Sequence, residues 1–226
     1  RGEIRNKGAV VPRGFLQVAS KTIKGAQPTI AAGRSGRLEL AEWVASGDNP
    51  LTSRVMVNRI WHHLLGHGLA RTPDNFGKTG ELPSHAGLLD WLAWRFVDDG
   101  WSVKSMIRQI VLSRAYRRAS TGESDGQTDD PENRLLWRSN RKHLSAEAIR
   151  DSILSVSGQL DMQQGGPTIR KFSQYDLGYE FDTIRRSVYV PFFRNSMLEV
   201  LEVFNAANPN VTTGRRTETT LPTQAL

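Results

Sequence analysis

With 226 residues, of which 38% are hydrophobic and 23% are charged, the chain has the composition of a globular protein that can bury a substantial core. It contains no cysteine, which excludes disulfide bonds, thiolate metal ligands and a cysteine nucleophile. No stretch comes near the roughly 18 consecutive apolar residues that a membrane-spanning helix needs, and Arg1 opens the chain without a signal-like run, so we expect a segment of a larger protein.

The net charge of +7 is concentrated at the start of the chain. Between Arg1 and Arg37 the basic residues number eight and the only acidic residue is Glu3, whereas the rest of the chain is balanced. A nucleic-acid-binding domain usually carries its basic residues on a folded face, but this stretch is aperiodic and interrupted by proline and glycine. We therefore predict an extended basic arm over residues 1–36 and no nucleic-acid partner.

Helical periodicity begins near Arg37 and is clearest after Asn49. The first pattern predicts a helix that ends at Gly47. Asn49 offers a capping side chain and Pro50 suits the first helical position, so a second helix is predicted from Pro50 to Leu65. Its apolar stripe, wide enough to face a core, consists of Met56, Val57, Ile60, Trp61, Leu64 and Leu65.

Serine residues mark the predicted starts of the next two helices. Ser84 is expected to cap a helix in which Trp91 and Trp94 supply much of the buried area. Ser102 is expected to cap a helix that reaches Tyr116.

The second half of the chain has weaker signals. Residues 120–129 are polar and predict a flexible loop, after which Asp130-Pro131 restarts a helix. Ser145 is expected to cap a helix that ends at Gly158. Alternating apolar residues predict a small β element near Ser187 to Phe193, and a short helix is predicted over Ser196 to Phe204.

Together these elements predict a mainly α protein, a multi-helix orthogonal bundle with a small β element near the C-terminal third and an extended basic N-terminal arm. The predicted organisation is an arm over residues 1–36 and a single helical domain over residues 37–226, with a flexible loop at 120–129.

Arg54, Asn58 and His62 are spaced by four residues and form a polar ridge on the second helix. Such a ridge, with Arg71 in the following loop, can bind a carboxylate or a phosphate. The alternative is structural: semi-buried Arg and Asn side chains commonly hydrogen bond to neighbouring backbone and hold a helix to a loop. The structural interpretation is favoured, and the four residues remain candidates for binding.

His63 and His67 have the i, i+4 spacing of a helical zinc pair. Gly66 is expected to break the helix between them, and no H-E-x-x-H motif is present. We therefore expect no metal site and interpret these histidines as helix-end or surface residues.

Glu147 and Asp151 share a helix face and can act as paired carboxylates, with Arg150 beside them. Nearby basic residues favour an ion-pair network instead. Signals for a nucleophile are poor, because no G-x-S-x-G motif is present and Gly165-Gly166-Pro167 lacks the Lys-Ser/Thr of a phosphate loop. We predict no catalytic residue, although an exposed Trp101 or Trp137 can stack on a sugar ring.

The sequence from about Gly36 to Leu226 resembles the planctomycete PSD-one family, domain of unknown function fifteen fifty-three, because several sequence blocks of that family occur in it in the same order. The matching blocks are Asn49 to Trp61, Gly68 to Gly77, Leu88 to Leu92, Tyr116-Arg117, Asp130 to Arg138, Glu147 to Asp151 and Gly165 to Pro167. One departure is Gly87, where relatives often place a glutamate that completes a capping box after Ser84.

The resemblance implies a position at the C-terminal end of a large exported protein with planctomycete cytochrome c domains, and therefore a periplasmic or cell-envelope location. It implies no cofactor in this segment, with haem in an N-terminal domain outside it, and partners that are domains of the same polypeptide or envelope proteins. We expect a non-catalytic interaction or scaffold domain. The alternative is an enzyme or ligand-binding module for a polysaccharide or other anionic or sugar substrate, with Arg54, Asn58, Glu147 and Asp151 lining one cleft.

Overall fold

The computed structural model of the protein describes residues 8–16, 30–121, 126–169, 178–216, 219 and 222–224. Contacts divide the chain into two compact units, Arg1–Asn140 and Arg141–Leu226. The single domain predicted over residues 37–226 stays a prediction. Of the predicted arm, residues 1–7 and 17–29 lie outside the described residues, and residues 8–16 have no regular secondary structure.

The described residues contain seven α-helices and no strand, which confirms a mainly helical fold. The helices are α1 Arg37–Ala45, α2 Pro50–Leu65, α3 Ala86–Asp98, α4 Val103–Val111, α5 Gly126–Asp129, α6 Ala146–Val156 and α7 Glu199–Val203. Two 3₁₀ turns cover Ser187–Tyr189 and Pro222–Gln224. None of the helices in these ranges has both the length and the apolar character needed to cross a lipid bilayer.

Helix α2 is the centre of the N-terminal unit, and it packs against both α3 and α4. Its start is as predicted: Pro50 follows Asn49, whose side-chain oxygen accepts from the Leu51 N–H at 3.0 Å. It ends at Leu65, and the capping residue Gly66 has φ +88°, a conformation that costs a glycine little. The buried core of this unit comprises Val57, Ile60, Trp61, Leu65, Leu69, Leu89, Leu92, Phe96, Met106 and Ile110.

Helix α3 differs from its prediction at its start and on its outer face. The N-cap residue is His85, without a side-chain capping bond, because the Ser84 hydroxyl instead lies 3.0 Å from the His85 ring. The prediction that Trp91 and Trp94 are largely buried is also wrong, since they are 52% and 59% exposed.

Helix α4 begins as predicted, with Ser102 accepting from the Ser105 N–H at 3.2 Å, but it ends at Val111 rather than at Tyr116. The predicted helix at Asp130-Pro131 is absent. The Asp130 carboxylate accepts from the N–H groups of Arg134 and Leu135 at 2.8 and 2.7 Å, which holds the chain in turns. In the predicted loop 120–129, residues 122–125 lie outside the described residues and Gly126–Asp129 form one helical turn.

In the C-terminal unit, helix α6 starts as predicted after Ser145, whose hydroxyl accepts from the Ala148 N–H at 3.3 Å. Helix α7 is shorter than the predicted span from Ser196 to Phe204. The core of this unit comprises Ala146, Val190 and Leu201, with Phe181, Met197, Leu198, Val200, Phe204 and Ala206 packed against it.

The predicted β element near Ser187 to Phe193 is wrong. Its first residues form a 3₁₀ turn, and Val188 is 70% exposed while Val190 is 4% exposed, so the two residues do not share a face as they would in a strand. The Ser187 N–H is bound by the Asp151 carboxylate instead of a neighbouring strand. An isolated parallel bridge between Asp161 and Arg185 lies just before this turn.

Candidate functional site

Asn58 is fully buried on α2 and binds the backbone of the loop that follows this helix. Its amide nitrogen donates to the carbonyl oxygen of Ala70 at 2.9 Å, and its oxygen accepts from the Ala70 N–H at 2.9 Å. Because Ala70 is only 1% exposed, the side chain satisfies one backbone donor and one acceptor that are withdrawn from water. Asn58 therefore fastens α2 to this loop.

Gly68 permits the close approach of the loop to Asn58. A Cβ atom at this position would lie 2.4 Å from the Ala70 carbonyl oxygen and 2.7 Å from the amide nitrogen of Asn58. Any larger residue at this position would displace the loop and disrupt both hydrogen bonds between Asn58 and Ala70.

Arg54 and Arg71 each form an ion pair inside the N-terminal unit. Arg54 on α2 pairs with Asp90 on α3, and both side chains are about half exposed. One terminal nitrogen of Arg71 lies 3.0 Å from the Glu132 carboxylate, and the other donates to the Glu132 carbonyl oxygen at 3.0 Å. Exposed pairs of this kind contribute about 1 kcal/mol or less, so their effect is to position elements rather than to dominate stability.

The histidines do not form a zinc pair on one helix. The ring of His62 lies edge-on to that of His63, with centroids 5.5 Å apart. Because α2 ends at Leu65, His67 does not share a helical turn with His63. In the part of the chain that the structure describes, no three His, Asp or Glu residues are grouped so that they can hold a metal ion.

Among the described residues of the C-terminal unit, Arg150 is the most buried charged residue, with 7% of its surface exposed. Its guanidinium donates to the carbonyl oxygens of Thr183 and Arg185, the latter at 2.8 Å, and to the Ser187 hydroxyl at 3.2 Å. Burial lowers the pKa of Arg150, while the nearby Asp151 carboxylate acts in the opposite direction. The guanidinium thus fixes the chain at residues 183–187 against α6.

Asp151 completes this network from the next position on α6. One of its carboxylate oxygens accepts from the Ser187 N–H at 2.7 Å and from the Ser187 hydroxyl at 2.6 Å. The Ser187 oxygen accepts from Arg150 at the same time, so its proton and one of its lone pairs are engaged. This serine therefore bridges two side chains of α6.

Glu147 forms an ion pair with Arg216, whose terminal nitrogen lies 2.7 Å from its carboxylate. Burial raises the pKa of Glu147, but the hydrogen bond and the charge of Arg216, a backbone hydrogen bond at Glu147 and a hydrogen bond with Ser145 together outweigh this effect, and the pKa lies below its ordinary value of 4.5. Glu147, Asp151 and Ser187 line an open cavity of about 460 Å³ beside α6. Both carboxylates that line this cavity have a hydrogen-bond partner: Arg216 for Glu147 and Ser187 for Asp151.

The lowered pKa of Glu147 predicts an acid-sensitive contribution to stability. A carboxylate whose pKa is lower in the folded state stabilises the fold above its unfolded pKa, and this contribution is lost as the pH falls through the folded pKa. Glu147→Gln is expected to lower the free energy of unfolding at neutral pH by about 1 kcal/mol or less and to reduce its decline below pH 4.5. Urea unfolding at several pH values measures this difference. In the double variant, Arg216→Gln should lower the free energy of unfolding little beyond Glu147→Gln alone. If the two losses of stability were fully additive, the ion pair would not be the cause of the loss in Glu147→Gln.

The structure also identifies residues that the sequence patterns did not single out. Ser187 and Arg216 lie 36 or more positions from their partners on α6, and such pairs have no local signature. Asn133, 2% exposed, donates to the Arg138 carbonyl oxygen and to the Asn140 side chain, both at 2.8 Å. Asn133 has a φ of +53°, and because asparagine is enriched in this conformation, the residue type itself is a sequence signal for a turn.

The candidate residues are divided between the two units. Arg54, Asn58, His62 and Arg71 belong to the N-terminal unit, and Glu147, Arg150 and Asp151 belong to the C-terminal unit. The single cleft considered for residues of both groups stays a prediction.

The outer face of α3, made of Leu88, Trp91 and Trp94, is exposed and aromatic, and we call it the aromatic face. The opposite side of the same helix carries Leu89, Leu92, Ala93 and Phe96 and is buried in the core. Trp101 and Trp137 are engaged internally: the ring of Trp101 lies edge-on to Phe96 at 5.4 Å, and the Trp137 N–H donates to the Asp130 carbonyl oxygen at 2.9 Å.

Comparison with known proteins identifies a family but no characterised relative. No curated protein and no solved structure shows significant similarity to the chain. The model of the PSD1 family, described as "Protein of unknown function (DUF1553)", matches residues 36–226, which is most of the chain. The chain therefore belongs to the PSD1 family.

Proposed function

We propose that this chain is a non-catalytic interaction domain of a large exported multidomain protein, and that the aromatic face of α3 is a contact surface for another protein. The observation that carries the proposal is the exposure of Trp91 and Trp94, at 52% and 59%, on a helix whose other side is already buried. Tryptophan is among the residues that contribute most to the energy of protein interfaces.

The energy of the aromatic face supports this interpretation. Burying apolar surface stabilises a protein by about 25 cal/mol per Å², and two half-exposed indoles forgo much of that gain. A helix selected only for the stability of its own unit would carry polar residues on its solvent side. Adjacent exposed tryptophans are therefore typical of a surface that another molecule covers.

The polar candidate residues support a non-catalytic role. Asn58 and Arg150 are buried and form hydrogen bonds with backbone groups, and Asp151 binds Ser187. A catalytic group has to reach a substrate with a free donor, acceptor or lone pair. These side chains use theirs inside their own unit.

The neighbours that we propose are domains of the same polypeptide or envelope proteins, in the planctomycete cytochrome c context that the sequence resemblance implies. The chain itself has no cysteine, so it does not offer the thiols to which a c-type haem is attached. In this proposal haem belongs to another domain of the same protein. A full-length protein without covalently bound haem would contradict the proposed association with cytochrome c domains.

Photo-crosslinking in the intact protein tests the contact surface. A photoreactive phenylalanine analogue is placed at Trp91, at Trp94 or, as a control, at the exposed Lys104 of α4. We expect both α3 positions to crosslink to one discrete protein surface, which mass spectrometry identifies. Lys104 should give at least about tenfold less of the same product, because no interface residue is expected there.

The alternative function, an enzyme or binding module for a polysaccharide or other anionic or sugar substrate, predicts a different result. Exposed indoles also stack on sugar rings, so crosslinks to glycan at Trp91 and Trp94 would favour that alternative. Equal crosslinking at Lys104, or none at any of the three positions, would contradict a contact surface on α3.

A further inference from the structure

A second cavity, of about 410 Å³, lies in the C-terminal unit and contains none of the residues singled out from the sequence. It is formed by residues 193–197 on one side and by residues 205–213, which follow α7, on the other. A volume of this size lies within the range of sites for small molecules.

Asparagine side chains hold the two walls of this cavity. The amide nitrogen of Asn210 donates to the Arg194 carbonyl oxygen at 3.0 Å, which links the loop to the opposite wall. The Asn208 side-chain oxygen accepts from the Asn210 N–H at 2.8 Å, and Asn205 adopts a φ of +57°. These contacts fix the shape of the cavity without using the charged groups that line it.

The charges at the cavity are balanced but not paired with each other. Arg194 and Glu202 both line it, and within the described residues neither charged group forms an ion pair or a hydrogen bond. The third charged residue, Arg216, is neutralised by Glu147 at 2.7 Å. Among the described residues, Arg194 and Glu202 are thus one exposed cationic and one exposed anionic residue that line the cavity without an ion-pair partner.

We propose that this cavity binds a small zwitterion of the amino-acid type, with its carboxylate on Arg194 and its ammonium group on Glu202. A ligand with only negative charge would face Glu202, and one with only positive charge would face Arg194. A neutral ligand would remove water from both groups without replacing their hydrogen bonds, which is unfavourable. Phe193, Met197 and Pro209 also line the cavity and offer apolar surface to an aliphatic side chain.

Calorimetric titration of the intact protein with three related probes tests this assignment. L-Methionine carries both charges, N-acetyl-L-methionine lacks the ammonium group, and L-methionine amide lacks the carboxylate. We expect each modified probe to bind at least about tenfold more weakly than methionine, because each loses one charge-assisted hydrogen bond.

Two variants assign the two ends of the ligand. Arg194→Gln should weaken methionine binding about tenfold and should abolish the difference between methionine and its amide. Glu202→Gln should also weaken methionine binding about tenfold, and it should abolish the difference in affinity between methionine and its N-acetyl form. Arg215→Gln and Glu199→Gln are matched controls, because neither residue lines the cavity, and methionine affinity should not change in them.

The proposal is overturned if methionine does not bind at about 10 mM, a concentration far above the dissociation constant expected of a specific site. It is also overturned if the three probes bind equally, or if Arg194→Gln and Glu202→Gln bind methionine as the controls do. Thermal unfolding of each variant shows whether a loss of binding reflects a loss of folding.

Discussion

Replacing Asn58 by alanine is expected to lower the free energy of unfolding of the N-terminal unit by about 3 kcal/mol or more, as measured by urea unfolding. The substitution leaves a buried N–H and a buried carbonyl of Ala70 without partners, and each such group costs about 1–3 kcal/mol. It also leaves a gap in the packing of α2 against the loop.

Two further variants make this prediction specific. Gly68→Ala should weaken the same contact from the other side, because its Cβ would meet both Ala70 and Asn58 at less than 3 Å. Arg59→Ala, at an exposed position one residue along α2, should change stability by about 0.5 kcal/mol or less. A stable Asn58→Ala protein that had lost only a binding activity would show that this amide serves a ligand.

Replacing Arg150 by methionine is expected to cost the C-terminal unit about 3 kcal/mol. Methionine keeps most of the apolar length of the side chain but removes every donor to Thr183, Arg185 and Ser187. The buried Ser187 and the partly buried carbonyl groups of Thr183 and Arg185 would lose their charged donor, which is why the cost exceeds that of an exposed ion pair.

Arg150→Lys separates the charge from the hydrogen-bond geometry. Lysine keeps the positive charge next to Asp151 but cannot reproduce the planar fork that reaches three acceptors, so an intermediate loss of stability is expected. Ser155→Ala, at an exposed position of the same helix, is the control and should be close to neutral. If Arg150→Met unfolded at the same urea concentration as the control, the proposed role of the guanidinium would be wrong.

Helix starts were predictable where several local signals agreed. At α2 a capping asparagine, a proline at the first helical position and a regular apolar stripe all indicated the same residue, and the structure confirms it. At α3 the single signal from Ser84 was misleading, because its hydroxyl lies near the neighbouring His85 ring instead of binding a helix N–H.

The sequence pattern did not reveal which side of α3 is buried. Apolar residues cover more than half of this helix, so the pattern is compatible with several orientations, and the structure buries Leu89, Leu92 and Phe96 rather than Trp91. The prediction of a β element was wrong for a different reason. Three alternating residues fit a strand, but the local path is determined by hydrogen bonds that Arg150 donates and Asp151 accepts, and both residues lie more than 30 positions earlier.

The candidate site was predictable in its members but not in its contacts. Spacing by four identified Arg54 and Asn58 as neighbours on α2, and their chemistry left binding and structural roles open. The backbone of Ala70 and the side chain of Ser187 come from other parts of the chain, and only the tertiary fold brings them to these residues.

Amide hydrogen exchange at Ala70 and Ser187, followed by NMR, tests most directly whether the polar residues serve the fold. Asn58 accepts from the first N–H and Asp151 from the second. We expect both amides to exchange slowly, at rates governed by the unfolding of their own units. Rapid exchange at both positions in the folded protein would show that Asn58 and Asp151 are free to bind a ligand, and would contradict the account.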